Sequence, residues 1–286
     1  MPSKTIKFAL LQTHVYAEKE RCLEHVAELM DHPKVRGADF VTLPEMFFTP
    51  YQTELFPAYA EEEGGPSWRF CSKLAKLHGV WLSAGTMPER DAAGHVYNTA
   101  YVFDRVGAQV GKARKTHLFD IDVEGGQSFR ESATLTPGDW IETFETEFCT
   151  MGLCVCFDFR FPEVGRLMAQ SGAKVILVPA AFNMTTGPAH WELMFRQRAV
   201  EDQCWTVGTA PARDVNGSYV SWGHSIVCDP WGTVVQLDEK EGILTAELDL
   251  ERVDAIRRQL PLMSARRTDL YNLEAADATS ASRKLH

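Results

Sequence analysis

The chain has 286 residues, 45% of them hydrophobic and 24% charged, and a formal net charge of -10. That balance describes a globular protein able to bury a core without disulfides, and it argues against a nucleic-acid surface. No stretch reaches transmembrane length, the N-terminal apolar run is too short for a secretion signal, and seven scattered cysteines fit reduced thiols in a cytoplasm better than a disulfide framework.

Taken in chain order, strands and helices alternate. Ile6 to Gln12 reads as a strand. Cys22, Leu23, Val26, Leu29 and Met30 recur at helical spacing, and Pro33 ends that helix. Ala38 to Leu43 is a second strand. Trp68, Cys71, Leu74 and Ala75 mark a helix entered through Gly64-Gly65-Pro66, and Val80 to Gly85 is a third strand. Asn98 to Asp104 and Ala108 to Thr116 form a hairpin pair. Thr150 to Cys156 reads as a strand, followed by a helix with Pro162 at its first position. Lys174 to Pro179 is a short apolar strand, and Pro188 opens a helix carrying Trp191, Met194, Phe195 and Ala199. Cys204 to Thr209, Gly223 to Cys228, Thr233 to Leu237 and Ile243 to Leu248 are further strands, then Glu251 to Leu260 is a helix. With no linker or repeat, residues 1–286 read as one α/β domain, with an irregular tail over about 275–286. So many strands exceed what one open sheet needs, which points to two packed sheets.

The stretch Met151-Gly152-Leu153-Cys154-Val155-Cys156 poses the chemical question. Two residues apart on a regular strand, both thiols face the same way. Position separates them: Cys156 stands at the strand-to-helix turn, where α/β sites assemble, and Cys154 lies one pleat deeper, in the core. A zinc pair is the rival reading, but no second pair or histidine cluster has metal-ligand spacing, so no metal is expected. A thiol needs an activator to attack near neutral pH. None of the nine histidines sits in a cysteine-protease signature. Glu45 is the alternative base: it follows a strand in phase with Val41 and Leu43, so the pattern points it inward, and the flanking Met46-Phe47-Phe48 is no surface composition. In Gly111-Lys112-Ala113-Arg114-Lys115, alternation puts Lys112 and Arg114 on one face and Lys115 on the other with Gly111 and Ala113. Lys115 is thus the inward cation, placed to hold an oxyanion. Glu131, read alone, is a loop carboxylate.

Together these residues resemble the nitrilase, or carbon–nitrogen hydrolase, superfamily. The resemblance rests on Leu43-Pro44-Glu45, Arg114-Lys115-Thr116-His117-Leu118 and the run Cys156 to Glu163, in the family's order, and it extends from about Lys7 to about Leu273. Thr49-Pro50-Tyr51, His117 to Asp122, Phe129 to Ser132, Leu135 to Asp139, Phe182 to Glu192, Ala210 to Asp214 and Trp222 to Ser225 look like its omega-amidase branch. Cys154 departs from the glycine common at that position. The resemblance implies a four-layer α-β-β-α sandwich, a homodimer or larger homo-oligomer, and no cofactor. It implies hydrolysis of the terminal amide of small 2-oxo acids through a cysteine thioester, with Glu45, Lys115 and Cys156 catalytic. Glu131 then matches a second glutamate that positions Lys115 or substrate, and the backbone N–H of Phe157 joins Lys115 at the oxyanion. Arg160 either binds the substrate carboxylate or braces the turn through Asp158 or Glu163. Tyr51, Phe182, Thr185 and Thr186 are the remaining candidates for lining the substrate pocket. Other short-chain amidases of the superfamily, a true nitrilase, and a catalytically silent assembly member stay as alternatives.

Overall fold

The computed structural model describes residues 5–276, so the tail called irregular lies almost wholly outside the described residues. The first half holds β1 (Thr5–Gln12), α1 (Lys19–Met30), β2 (Phe40–Thr42), α2 (Phe56–Tyr59), α3 (Pro66–His78), β3 (Trp81–Arg90), β4 (Val96–Phe103) and β5 (Gln109–Arg114). The second half holds β6 (Asp120–Asp122), β7 (Ser128–Arg130), β8 (Glu142–Glu145), β9 (Thr150–Leu153), α4 (Pro162–Gln170), β10 (Val175–Pro179), α5 (Gly187–Asp202), β11 (Trp205–Thr209), β12 (Ile226–Cys228), β13 (Val234–Gln236), β14 (Gly242–Asp249) and α6 (Leu250–Gln259). Local chemistry sets these bounds. α3 starts on Pro66, a residue with no N–H to lose there, and stops at Gly79, whose φ of +63° turns the chain left-handed.

Two six-stranded sheets form, in the orders β14-β1-β2-β3-β4-β5 and β13-β12-β11-β10-β9-β8, with β6 and β7 as a separate hairpin. Each sheet is parallel at its centre: β1, β2 and β3 in one, β9, β10 and β11 in the other. Phe8, Phe40, Trp81 and Val102 from the first sheet share a core with Met151, Leu153, Val175 and Val207 from the second. α1 and α3 cover the outer face of the first sheet through Cys22, Val26, Cys71 and Leu74. α4 and α5 cover the second through Val164, Met168, Trp191 and Phe195. The layers are therefore α-β-β-α. Burying such continuous apolar runs on both faces is what parallel strands require. A buried polar link joins the facing sheets: the Thr42 and Thr209 hydroxyls lie 2.6 Å apart.

Sequence expectations differ from the structure at informative places. The strand expected to reach Cys156 ends at Leu153, because the chain leaves the sheet before the turn. The hairpin of β6 and β7 and the short β8 were not expected, since three or four residues carry too little periodicity. β3 runs past Gly85 through a bulge between Ser83 and Thr86. Gly85 has φ +59°, and a Cβ there would lie 2.1 Å from the Pro44 carbonyl oxygen, so only glycine lets the Leu43-Pro44 turn pass so closely.

The edges of the two sheets meet at Trp140, whose indole N–H lies 3.0 Å from both the Lys112 carbonyl on β5 and the Glu142 carboxylate on β8. Burial pushes the Glu142 carboxyl up to about 7, only partly opposed by the Lys112 N–H and the indole. The folded protein therefore binds this proton more tightly than the unfolded chain. The Glu142 contribution is present below the unfolded value of 4.5 and is lost as pH rises through about 7. Denaturant unfolding at pH 5 and pH 8 should show wild type losing more stability across that interval than Glu142→Gln, by on the order of 2 kcal/mol.

Candidate active site

Four strand ends deliver the site. Glu45 follows β2, Lys115 follows β5, Cys156 follows β9, and Ala181 follows β10. Lys115 sits where alternation put it: Lys112 and Arg114 turn the other way and share Glu89, while Lys115 is fully buried. Its ammonium lies 2.9 Å from Glu45 Oε1, 2.8 Å from Glu131 Oε1 and 3.3 Å from the Tyr51 hydroxyl. Tyr51 stands 2.9 Å from Glu45 Oε1 and 2.5 Å from Glu131 Oε1. Asn98 Nδ2 donates to Glu45 Oε1 at 2.8 Å, and the Ala181 N–H donates to Glu45 Oε2 at 2.8 Å. Glu131 is no loop carboxylate: it is fully buried, and its second oxygen accepts the Phe119 N–H at 2.7 Å.

The inward expectation for Glu45 holds, but for a different reason than strand phase. Val41 and Leu43 face the α1–α3 layer. Glu45 points the opposite way, into the space between the sheets, because the chain turns at Pro44 and Met46 adopts φ +51°. Met46 N–H donates to the Thr86 hydroxyl at 2.8 Å, and the Thr86 N–H donates to Pro44 O at 3.2 Å, which ties the turn to the Gly85 bulge.

Cys156 opens a 3₁₀ turn, Cys156–Arg160, with φ +46°. A non-glycine residue in that region costs about 1–3 kcal/mol and persists only where its surroundings fix it. Glu45 and the Ala181 N–H both stand close enough to the thiol to bear on its ionisation. Burial and the Glu45 charge push the thiol well above its usual range, against the pull of Lys115, so the resting group is S–H. Burial alone disfavours the Lys115 cation, but Glu131 and Glu45 outweigh it and hold the ammonium firmly protonated. Burial raises the Glu131 carboxyl, with Lys115 opposing. The Phe157 N–H lies in the first turn, among the donors a helix cannot satisfy itself. Cys154 is a buried core residue whose N–H donates to Leu177 O. It is not in strand phase with Cys156, because the segment between them is irregular.

The substrate candidates separate. Tyr51 lies within the carboxylate cluster. Arg160 does not brace the turn through Asp158 or Glu163. Its guanidinium sits 4.6 Å from the Phe182 ring centre and 5.8 Å from that of Phe157, with His190 Nδ1 at 3.1 Å, and no carboxylate pairs with it among the described residues. Thr185 is exposed, and the Thr186 hydroxyl donates to Asn183 Oδ1 at 3.0 Å, capping its own loop. The sequence reading missed Asn98, Tyr219 and the role of Asp158. Tyr219 covers the cluster, its hydroxyl on Ala181 O at 2.5 Å and its ring 4.6 Å from Tyr51. Asp158 Oδ1 accepts from Thr116 N at 3.1 Å, Thr116 Oγ1 at 2.7 Å and His117 N at 2.7 Å, while Oδ2 accepts from Val155 N at 3.1 Å. One carboxylate thus clasps the residues just after Lys115 to the residue just before Cys156. Only the Asp158-x-Arg160 spacing beside the cysteine hinted at it.

Asp158→Ala should lower turnover about 10²-fold or more while leaving a folded protein, since misplacement of paired catalytic groups by about 1 Å carries that penalty. Asp158→Asn, which keeps one acceptor oxygen, should recover part of the loss. Steady-state kinetics with thermal melts on both variants checks this, and equal activity of Asp158→Ala and wild type would sink it.

The carbon–nitrogen hydrolase family pattern matches residues 7–258. The chain is 45% identical to omega-amidase NIT2 of Mus musculus over 272 residues, covering 95% of this chain and 98% of the relative. It is 43% identical to omega-amidase NIT2 of Homo sapiens, covering 94% and 98%. The crystal structure of Saccharomyces cerevisiae Nit3, a member of branch 10 of the nitrilase superfamily, superposes with a TM-score of 0.85 at 38% identity, covering 93% of this chain and 97% of that one. A family pattern over most of the chain, near full-length relatives and a shared α-β-β-α architecture agree: the chain belongs to the carbon–nitrogen hydrolase family and is an amide-hydrolysing enzyme.

Proposed function

We propose that the enzyme is an omega-amidase, hydrolysing the terminal amide of 2-oxoglutaramate and 2-oxosuccinamate to the dicarboxylic acid and ammonia. The observation that carries the substrate class is Arg160, a half-buried guanidinium without a carboxylate partner among the described residues. Burial lowers its hold on its proton, and it lies near enough to Cys156 and Tyr219 for their ionisation to oppose that. Phe182 backs it, and a substrate carboxylate supplies the missing partner.

In the reaction Glu45 takes the proton from Cys156 Sγ as the sulfur attacks the terminal amide carbon. Lys115 and the Phe157 N–H receive the oxyanion, where each preorganised donor is worth about 10²–10³ in rate. Lys115 can serve there without surrendering a proton, because Glu131 and Glu45 hold it charged. Glu45 passes its proton to the departing nitrogen, the C–N bond breaks, and a thioester remains. Glu45 then takes a proton from water as its oxygen attacks the thioester carbon, the C–S bond breaks, and the thiol is restored. Glu131 and Tyr51 hold Lys115 and Glu45 in register throughout.

We place the enzyme in the cytoplasm as a homodimer or larger homo-oligomer. Seven cysteines present as free thiols support the compartment. The oligomer is supported by an apolar face on α5 and its neighbouring loop, with Leu193 65% and Trp231 59% exposed. Among the described residues no helix is long and apolar enough to cross a membrane.

Cys156→Ala should abolish ammonia release from 2-oxoglutaramate, while Cys154→Ala keeps most of it; the reverse pattern would transfer the nucleophile to Cys154. Arg160→Met should raise KM for both 2-oxo acid amides by roughly 10- to 100-fold, the range of a charge-assisted hydrogen bond. It should leave a short uncharged amide nearly unaffected. Equal loss on charged and uncharged amides would remove Arg160 from carboxylate recognition.

A further inference from the structure

Arg160 has a supporting frame of its own. Helix α5 presents His190, Met194 and Arg198 at i, i+4 and i+8, one stripe of its surface. Each of the three touches the end of the Cys156–Arg160 turn. Arg198, 7% exposed, donates from Nε to Phe159 O at 3.2 Å and from Nη2 to Arg160 O at 2.8 Å, which fixes the backbone. His190 Nδ1 and Met194 Sδ take the side chain, lying 3.1 Å and 3.6 Å from Arg160 Nη1. The start of α5 is also tied to the segment of Phe182, the ring that backs the guanidinium: the Gly187 N–H donates to Asn183 O at 2.7 Å.

Counting donors shows what this frame leaves over. A guanidinium has N–H donors and no acceptor, so His190 Nδ1 receives the bond and the ring proton sits on Nε2. Both side-chain partners lie on Nη1. Nε and Nη2, an edge that matches two carboxylate oxygens side by side, have no hydrogen-bond partner among the described residues. The partners on Nη1 are also uncharged as they stand. A carboxylate in their place would pair with the cation and take up the charge that a substrate carboxylate needs. An imidazole nitrogen and a thioether orient the group and leave that charge available.

We propose that His190 is a positioning residue for substrate recognition: its Nδ1 holds Arg160 Nη1 and so keeps the Nε–Nη2 edge free for the substrate carboxylate. The inference rests on the carboxylate-binding role given to Arg160 in the proposed function. It assigns selectivity for anionic over neutral short amides to a pair of residues on two elements. His190 touches none of the reacting atoms, and its contribution passes through Arg160. It therefore strengthens binding in the ground state and the transition state alike, which shows in KM and leaves kcat unchanged.

The test uses substitutions in the full chain at position 190, which is exposed, so the core is left untouched. With 2-oxoglutaramate, His190→Ala should raise KM about fivefold, the worth of one net hydrogen bond, with kcat within about twofold of wild type. His190→Asn keeps a neutral acceptor near the place of Nδ1 and should bring KM back to within about twofold of wild type. His190→Asp, of the same size but charged, should raise KM beyond the alanine value. In an Arg160→Met background, His190→Ala should change KM no further, as expected of residues that act through one another. An equal rise in KM in both backgrounds would make His190 an independent structural contact and overturn the proposal. So would His190→Asp matching His190→Asn, or a fall in kcat at constant KM. If Arg160→Met itself leaves KM unchanged, the carboxylate role of Arg160 fails and that of His190 with it. A KM effect of Arg160→Met with none of His190→Ala removes His190 alone. Failure of the wild type to release ammonia from 2-oxoglutaramate counts against the omega-amidase reading, and the same ratios are then read on whichever carboxylate-bearing short amide the wild type hydrolyses.

Discussion

A fully buried ammonium between two fully buried carboxylates is the constraint on which the site depends. Lys115, Glu45 and Glu131 bring one basic and two acidic groups together where water cannot screen them. Such a cluster is tolerated only with complete hydrogen bonding, because an unpaired buried charge costs several kcal/mol. Tyr51, Asn98, and the N–H groups of Ala181 and Phe119 provide that satisfaction. The consequence is electrostatic as well as structural. The lysine stays charged because the carboxylates demand it, and the thiol stays protonated because burial disfavours a thiolate and Glu45 repels a second anion. Charge separation is thereby deferred to the moment of attack.

The fold exists, from the standpoint of this cluster, to bring distant segments to one place. Parallel strands present their carboxyl ends together, and two sheets stacked face to face present two such ends. Glu45 and Lys115 come from one sheet, Cys156 and Ala181 from the other. Asp158 then clasps the lysine segment to the cysteine turn, and the Gly85 bulge seats the glutamate turn. Strained backbone at Met46 and Cys156 is held by these contacts, so strain collects where the chemistry is.

Much of this was legible in the sequence. Long periodic segments such as α1 and α3 announce themselves, and simple alternation was enough to separate Lys115 from Lys112 and Arg114. Cys156 stood out from Cys154 through the turn beside Pro162. Other features were not legible, for physical reasons. Phase along a strand cannot foresee that Pro44 and Met46 reverse the direction of Glu45. Glu131 reads as a loop residue because its partners Phe119, Lys115 and Tyr51 lie 12, 16 and 80 residues away. Tyr219 and Asn98 sit in stretches with no local chemical signature, and their roles come only from tertiary approach. Arg160 stayed open in the sequence between substrate ligand and brace because Asp158 and Glu163 are close to it, whereas Asp158 is engaged by the lysine segment.

The hydroxyl contact between Thr42 and Thr209 takes on a wider meaning in this light. It marks the level at which the two sheets are docked, immediately below the residues that each contributes to the reaction. Apolar faces can slide by fractions of an ångström with little change in secondary structure, because dispersion contacts are many and individually weak. A proton relay shared between the faces tolerates no such play. Enzymatic output is therefore a finer gauge of sheet alignment than any spectroscopic measure of helix and strand content, and mild denaturing conditions are expected to silence the molecule while most of its backbone order survives.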